Sequence, residues 1–397
     1  MCTTWMRRLL CAAAIGAVAT LAAAAELPGI VQLEADKIPQ IKAAKEVPHG
    51  QTPLRVKVLV YEFNPWIPGS VHAPDQADAT PKRLNEVCGW NDSVKLAAGY
   101  MQDMCDASGG YVQYEIVEWN VVDSFQRKRD GFSYTPESYM AAKQSGKWHQ
   151  PDGVDYAHEI KLHRIHERID AGEADEVWWF GLPYFGYWES VMIGPDSFWI
   201  NAPPQKDFEC KRRFAIMGWN SERGVAEMIH NMGHRTESTM SRVYGGWKVE
   251  QLTSNWARFA ANEHQSGKGT AAVGTCHYPA NAESDYDYSN TRTVMSTADD
   301  WLNYPKLTGE QKPVSRENWA EPHKNRNGAP DYHRNYQIWF FTRLPKAPGI
   351  NEDGRLNNWW EYIYNFNAYD AQGKRLPGAK PIVDDEAAKK LGAVRPS

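Results

Sequence analysis

The chain has 397 residues, of which 42% are hydrophobic, 12% aromatic and 23% charged. That balance belongs to a folded globular protein with one large or two ordinary domains, and excludes disordered, collagen-like and disulfide-dense classes. A formal charge of -5 leaves no electrostatic reason to expect a nucleic-acid partner.

Arg7 and Arg8 precede an Ala-rich apolar run from Leu9 to Ala25, and the first acid is Glu26. A charged start, a short apolar stretch and a small-residue end predict a secretory signal peptide over 1–25. The run is shorter than the roughly 18 residues a membrane span needs, and no later segment qualifies. The expected compartment is therefore extracellular or periplasmic, with the general secretory and twin-arginine routes both open. Four cysteines follow the leader: Cys88, Cys105, Cys210 and Cys276. An even number in an exported chain predicts two disulfides, and the expected pairing is Cys88–Cys105 and Cys210–Cys276.

Residues 26–53 show no sustained periodicity and are expected to form a leader segment on the surface. Arg55 to Phe63 reads as a strand ended by Asn64-Pro65. Asn91-Asp92-Ser93 supplies an N-cap for a helix to about Met104. Gly109-Gly110 interrupts, and Tyr111 to Trp119 alternates as a second strand. Asp155 to Ile169 is predicted as one helix, with Leu162, Ile165 and Ile169 on its apolar face. Its three histidines, His158, His163 and His166, are expected to face water. Glu176 to Phe180 and Phe214 to Met217 are the third and fourth strands, and Asn220-Ser221 is expected to cap a long helix to about Ser241.

Strands separated by helices predict an α/β fold: an open, mainly parallel sheet with helices on both faces. The core is expected over 54–243. A loop-rich, aromatic extension of the same domain (244–374) is expected to pack over the strand ends, followed by a polar tail (375–397). Ligands in such sheets sit beyond the carboxyl ends of the strands, which directs attention to Tyr184, Trp188, Glu189 and Asn220 as substrate-binding residues.

The most informative segment runs from Glu227 to Glu237. At about 100° per residue, Glu227, His230, His234 and Glu237 share one helix face, while Val225, Met228, Ile229, Met232 and Met240 take the other. Two imidazoles one turn apart can grip one ion, and a catalytic zinc wants three protein ligands plus water. The expected metal ligands are thus His230, His234 and Glu237 around zinc or another divalent cation, with Glu227 or Glu237 as general base. This helix resembles half of the zincin pattern His-Glu-x-x-His, but Asn231 stands where a zincin peptidase carries its glutamate. Gly233 in the helix interior predicts a close approach from elsewhere in the chain.

Ser221, at a strand-to-helix turn, is a weaker nucleophile candidate, because the strained Gly-x-Ser-x-Gly spacing is absent. His277 and Asp285 lie in the irregular region, where a loop can close a site from above: His277 as a catalytic group or distant ligand, Asp285 as a substrate contact. Tryptophans in turn-like segments (Trp66, Trp90, Trp188, Trp199, Trp301, Trp359 and Trp360) suggest either stacking platforms for sugars or burial of large loops.

No phosphate-binding glycine loop, EF-hand or haem motif occurs. The expected function is a secreted, divalent-metal-dependent hydrolase acting on an extracellular polymer, with sugar-containing material favoured over peptide. A metal-independent glycoside hydrolase with paired carboxylates, and a non-catalytic carbohydrate-binding protein, stay open as alternatives.

Overall fold

A computed structural model describes residues 29–42, 47, 50–76 and 78–379. The expected signal peptide lies outside the described residues, as does most of the expected polar tail. The principal elements are β1 (Ile30–Gln32), β2 (Leu54–Phe63), α1 (Ser93–Ala107), β3 (Val112–Val122), α2 (Tyr156–Leu162), α3 (Ile165–Asp170), β4 (Glu176–Gly181), β5 (Ser190–Ile193), β6 (Phe214–Asn220), α4 (Val225–Tyr244), α5 (Tyr332–Arg343) and α6 (Trp359–Tyr364).

Six strands form one mixed sheet in the order β1-β3-β2-β4-β6-β5. The four central strands run parallel, and the short edges β1 and β5 pair antiparallel to β3 and β6. The central four are those expected from sequence. β4 is buried at every position, as a strand covered on both faces must be. The edge strands escape sequence reading because three or four residues show no measurable period. β1 also turns part of the expected leader segment into sheet.

Side chains alternate across β2. Val56, Val58 and Val60 join one apolar cluster with Tyr100 and Met104 of α1 and with Met228, Ile229 and Met232 of α4. Leu59, Tyr61 and Phe63 join another with Ile160 of α2 and Ile165 and Ile169 of α3. The first cluster also takes in Trp256, Phe259, Tyr336, Trp359 and Trp360 from the aromatic region. Most of its indoles are therefore core: Trp301, Trp359 and Trp360 are buried, which removes them as sugar platforms. Within this region the 12-residue α5 is longer than the short helices expected there, and it lies against α1 and α4.

Three local expectations are corrected. The helix expected over 155–169 is two helices, because Arg164 takes a left-handed conformation (φ 52°) that lets Ile165 and Ile169 turn inward while Leu162 stays exposed. His163 does not face water: it is buried against Tyr61 and Phe63, with its Nε2 3.5 Å from the buried carboxylate of Glu159. The long helix begins later than expected, at a Gly224 cap, and Ser221 is a buried turn residue whose hydroxyl lies 3.1 Å from that of Ser93, not beside an imidazole.

The expected disulfides do not form. A disulfide needs its two sulfurs about 2.05 Å apart. Cys88 and Cys210 pack against the cluster holding Leu59 and Tyr61. Cys105 lies on α1, whose core residues belong to the opposite cluster, and Cys276 lies against Gly233 of α4 on that same side. The sheet separates each expected pair.

Candidate metal centre

α4 starts directly after β6. Glu227 closes its first turn by accepting from the Gly224 backbone N–H (3.0 Å). Its apolar face enters the core through Met228, Ile229, Met232 and Met240. Its polar face is not left to solvent. A Cβ added at Gly233 would sit 2.6 Å from the Cβ of Cys276, so the glycine admits the 275–288 loop against the helix, the close approach its position predicted.

Four contacts hold that loop in place. The Cys276 amide donates to Glu237 Oε1 (2.7 Å), its carbonyl accepts from both Tyr288 Oη and Gln337 Nε2 (2.7 Å each), and the Tyr286 amide donates to the His277 carbonyl (3.1 Å). The result is a compact group of His230, His234, Cys276 and His277, whose ligand atoms all lie within 4.8 Å of one another.

Within the group, His234 Nε2 lies 3.0 Å from His230 Nε2 and 3.1 Å from His277 Nε2. The outer nitrogens decide what faces inward. His277 Nδ1 is 2.8 Å from Asp285 Oδ1, and a carboxylate there only accepts, so the proton sits on Nδ1 and Nε2 carries a lone pair. His234 Nδ1 faces Glu237 Oε2 at 3.6 Å, which favours the same tautomer. His230 Nδ1 lies 3.2 Å from His333 Nε2 and 3.3 Å from both Gln337 Nε2 and Tyr288 Oη; the Tyr288 hydroxyl donates to the Cys276 carbonyl, so its oxygen is open to accept from His230 Nδ1. With the proton of His230 on Nδ1 as well, three lone pairs point toward one another, an arrangement that a cation between them stabilises. Nitrogens about 2.0–2.1 Å from a tetrahedral zinc lie roughly 3.3 Å apart, close to the 3.0 and 3.1 Å that separate His234 Nε2 from the other two.

The electrostatics agree. Burial, reinforced by the imidazoles of His234, His333 and His277, holds His230 down to about 2, so this ring stays neutral and able to ligate. Burial also opposes charge on His234, but Glu237, Glu189 and Asp285 outweigh it and its pKa rises. That pull from three carboxylates is the pull a cation would feel. Burial, then Glu237, pushes the Cys276 thiol well above its usual range. The thiol stands 3.6 Å from Nδ1 of His234, within the same compact group.

The remaining predicted residues fall into place around this centre. Glu237, expected as a ligand, lies behind His234 and is engaged by the Cys276 amide. Glu227 is committed to its cap, with its other oxygen 3.9 Å from His333 Nδ1. Asp285, expected as a substrate contact, stands behind His277. Glu189 Oε2 comes within 3.7 Å of His234 Nε2, the inner nitrogen, and is held there by Asn201 Nδ2. Tyr184, Trp188, Glu189, Asn220 and Glu227 line one cleft of about 250 Å³ at the carboxyl ends of β4 and β6.

Sequence reading missed Cys276 as a member of the group, since it was assigned to a disulfide, and missed His333, Tyr288 and Gln337. His333 Nε2 lies 3.2 Å from His230 Nδ1, and its ring stacks on Tyr288 at 4.6 Å. The available signal was the Asp331 cap two residues before it, which marks the start of α5.

Outer carboxylates fix the tautomer and raise the basicity of a ligating histidine, so Asp285→Ala is expected to weaken zinc affinity by about 10–100-fold without unfolding the protein. Competition with a chromophoric chelator measures this. Unchanged affinity would mean that Asp285 does not orient a ligand.

No protein-family model, curated protein or solved structure matches the chain. Among the described residues, no helix is long and apolar enough to cross a membrane.

Proposed function

We propose that this protein is an exported, divalent-metal-dependent hydrolase that cleaves acyl bonds, amide or ester, in an extracellular polymer. The scaffold is read as a sheet covered by helices on both faces, with the aromatic region as an extension of the same domain. The observation that carries the reading is the convergence of the inner nitrogens of His230, His234 and His277, each backed by a partner on its outer nitrogen. A zinc ion held there would polarise a carbonyl and acidify water, chemistry suited to acyl carbon rather than to an acetal.

The chain's own residues supply the rest. Glu189, beside the inner nitrogen of His234 and open to the 250 Å³ cleft, takes the proton from the attacking water. The carbon–nitrogen or carbon–oxygen bond then breaks, and the same proton goes to the departing amine or alcohol. Asp285 and Glu237 keep the protons of His277 and His234 on the outer nitrogens throughout.

The metal content of purified protein, together with hydrolysis of an activated acetyl ester before and after chelation, tests this. One equivalent of metal, activity lost with chelator and restored by zinc are expected. Absence of stoichiometric metal together with chelator-resistant activity removes the mechanism. Because Glu189 and Glu227 share one cleft, chelator-resistant release of sugar would instead favour a glycoside hydrolase using paired carboxylates.

A further inference from the structure

Resting on that reading and deepening it, we infer that the polymer is a sugar chain, bound in one groove that runs along α4 across the histidine centre. Two clefts are lined by residues of α4, one by 227–231 and the other by 237–242. The 250 Å³ cleft is floored by Glu227, Met228 and Asn231 of α4 and walled by Trp188 and Glu189. The other, about 690 Å³, is floored by Glu237, Ser238, Ser241 and Arg242 of the same helix and walled by Trp199 and Trp247.

At 100° per residue Glu227, Asn231, Glu237, Ser238, Ser241 and Arg242 lie on the side of the helix that carries His230 and His234, with Met228 at its margin; along the axis His234 falls between the two sets and His230 within the first. From Met228 to Arg242 the helix rises about 21 Å at 1.5 Å per residue, room for several pyranose rings in a row. His234 joins the clefts: Glu189, from one, approaches its Nε2 at 3.7 Å, and Glu237, from the other, approaches its Nδ1 at 3.6 Å.

The chemistry of the walls selects the class. The well-exposed tryptophans among the described residues are Trp66, Trp188, Trp199 and Trp247, and three of these line the two clefts while most others are buried in the core. Flat indoles above a floor of hydroxyl, amide, guanidinium and carboxylate groups suit sugar rings, which present C–H faces to an aromatic plane and hydroxyls to polar groups. An extended peptide would instead seek a free strand edge. The edge of β5 nearest the groove is covered, since the Gln205 amide donates to the Met192 carbonyl and the Gly194 amide to the Gln205 carbonyl.

The experiment reads binding rather than turnover. Chelator-stripped full-length protein is titrated calorimetrically with mono- to hexasaccharides of β-linked glucose and of β-linked N-acetylglucosamine, and with an oligopeptide of matching length. Affinity for at least one sugar series should rise with chain length. Both Trp188→Ala and the Trp199→Ala/Trp247→Ala pair should lower hexasaccharide affinity at least tenfold with zinc content and melting temperature unchanged.

Failure of both sugar series to bind, equal affinity for mono- and hexasaccharide, full binding by the tryptophan variants, or binding of the peptide alone would each overturn the groove. Binding of the N-acetylglucosamine series with no acetate released, and no activated ester hydrolysed, by the zinc-loaded protein would leave the groove standing and remove the hydrolase. Ester hydrolysis without sugar binding would do the reverse.

Discussion

His234→Ala is expected to remove stoichiometric zinc and, with it, acyl hydrolysis, by well more than the roughly 100-fold that loss of an outer partner costs. His234 is the hub of the centre: its Nε2 lies 3.0 and 3.1 Å from those of His230 and His277, and its outer nitrogen is the one that Glu237 faces. Deletion leaves two of the three converging imidazoles, beside a Cys276 thiol that burial pushes well above its usual range and that therefore makes a poor substitute ligand.

The paired control is Cys276→Ser. Its sulfur lies 3.6 Å from the outer nitrogen of His234 and burial disfavours the thiolate, so zinc should be retained, and the cobalt-substituted wild type should show no thiolate-to-cobalt charge-transfer band. One equivalent of zinc in His234→Ala protein would refute the ligand set. A thiolate band would replace it with one that includes Cys276. Circular dichroism of both variants separates ligand loss from unfolding.

The largest stability effect is expected at Arg235, the next residue along α4. Its guanidinium is buried and donates to Glu176 of β4 and to the Ile363 carbonyl of α6 (3.0 Å), with the ring of Tyr364 5.1 Å away. Glu176 is equally buried and also accepts from Trp178 Nε1 (2.8 Å). Arg235→Met leaves that carboxylate charged and without a cation in a dry environment, which costs about 3–5 kcal/mol. Arg235→Met with Glu176→Gln should recover part of the loss, because the neutral amide has no charge to desolvate. Urea unfolding of the three proteins checks this. A loss below about 1 kcal/mol in the single variant would mean that the pair is hydrated in solution.

Local pattern accounts for what was legible. The four central strands, the Asp92-capped helix, and His230 with His234 one turn apart are all set by near neighbours, through periodicity, capping and the pitch of a helix. The interior Gly233 announced a close approach without naming what approached. Misreadings came where a local rule met a long-range demand. Cys276 looked like half of a disulfide by cysteine number alone, and the sheet lies between it and Cys210. His163 looked exposed by its place beside the apolar stripe, until the left-handed turn at Arg164 broke the helix and buried it.

The sequence by itself determined the four central strands and the helices α1 and α4, and that α4 carries two histidines on one face. Only the tertiary structure decided that His277 and Cys276 cross that face, that His333 arrives from a helix about a hundred residues further on, and that Glu189 rather than Glu237 reaches the inner side of His234. The division is physical. Periodicity and capping act over a few residues and leave a trace in the order of amino acids. The meeting of residues 189, 234, 277 and 333 follows from how a β5 edge, a loop and α5 pack onto one core, which no spacing along the chain records.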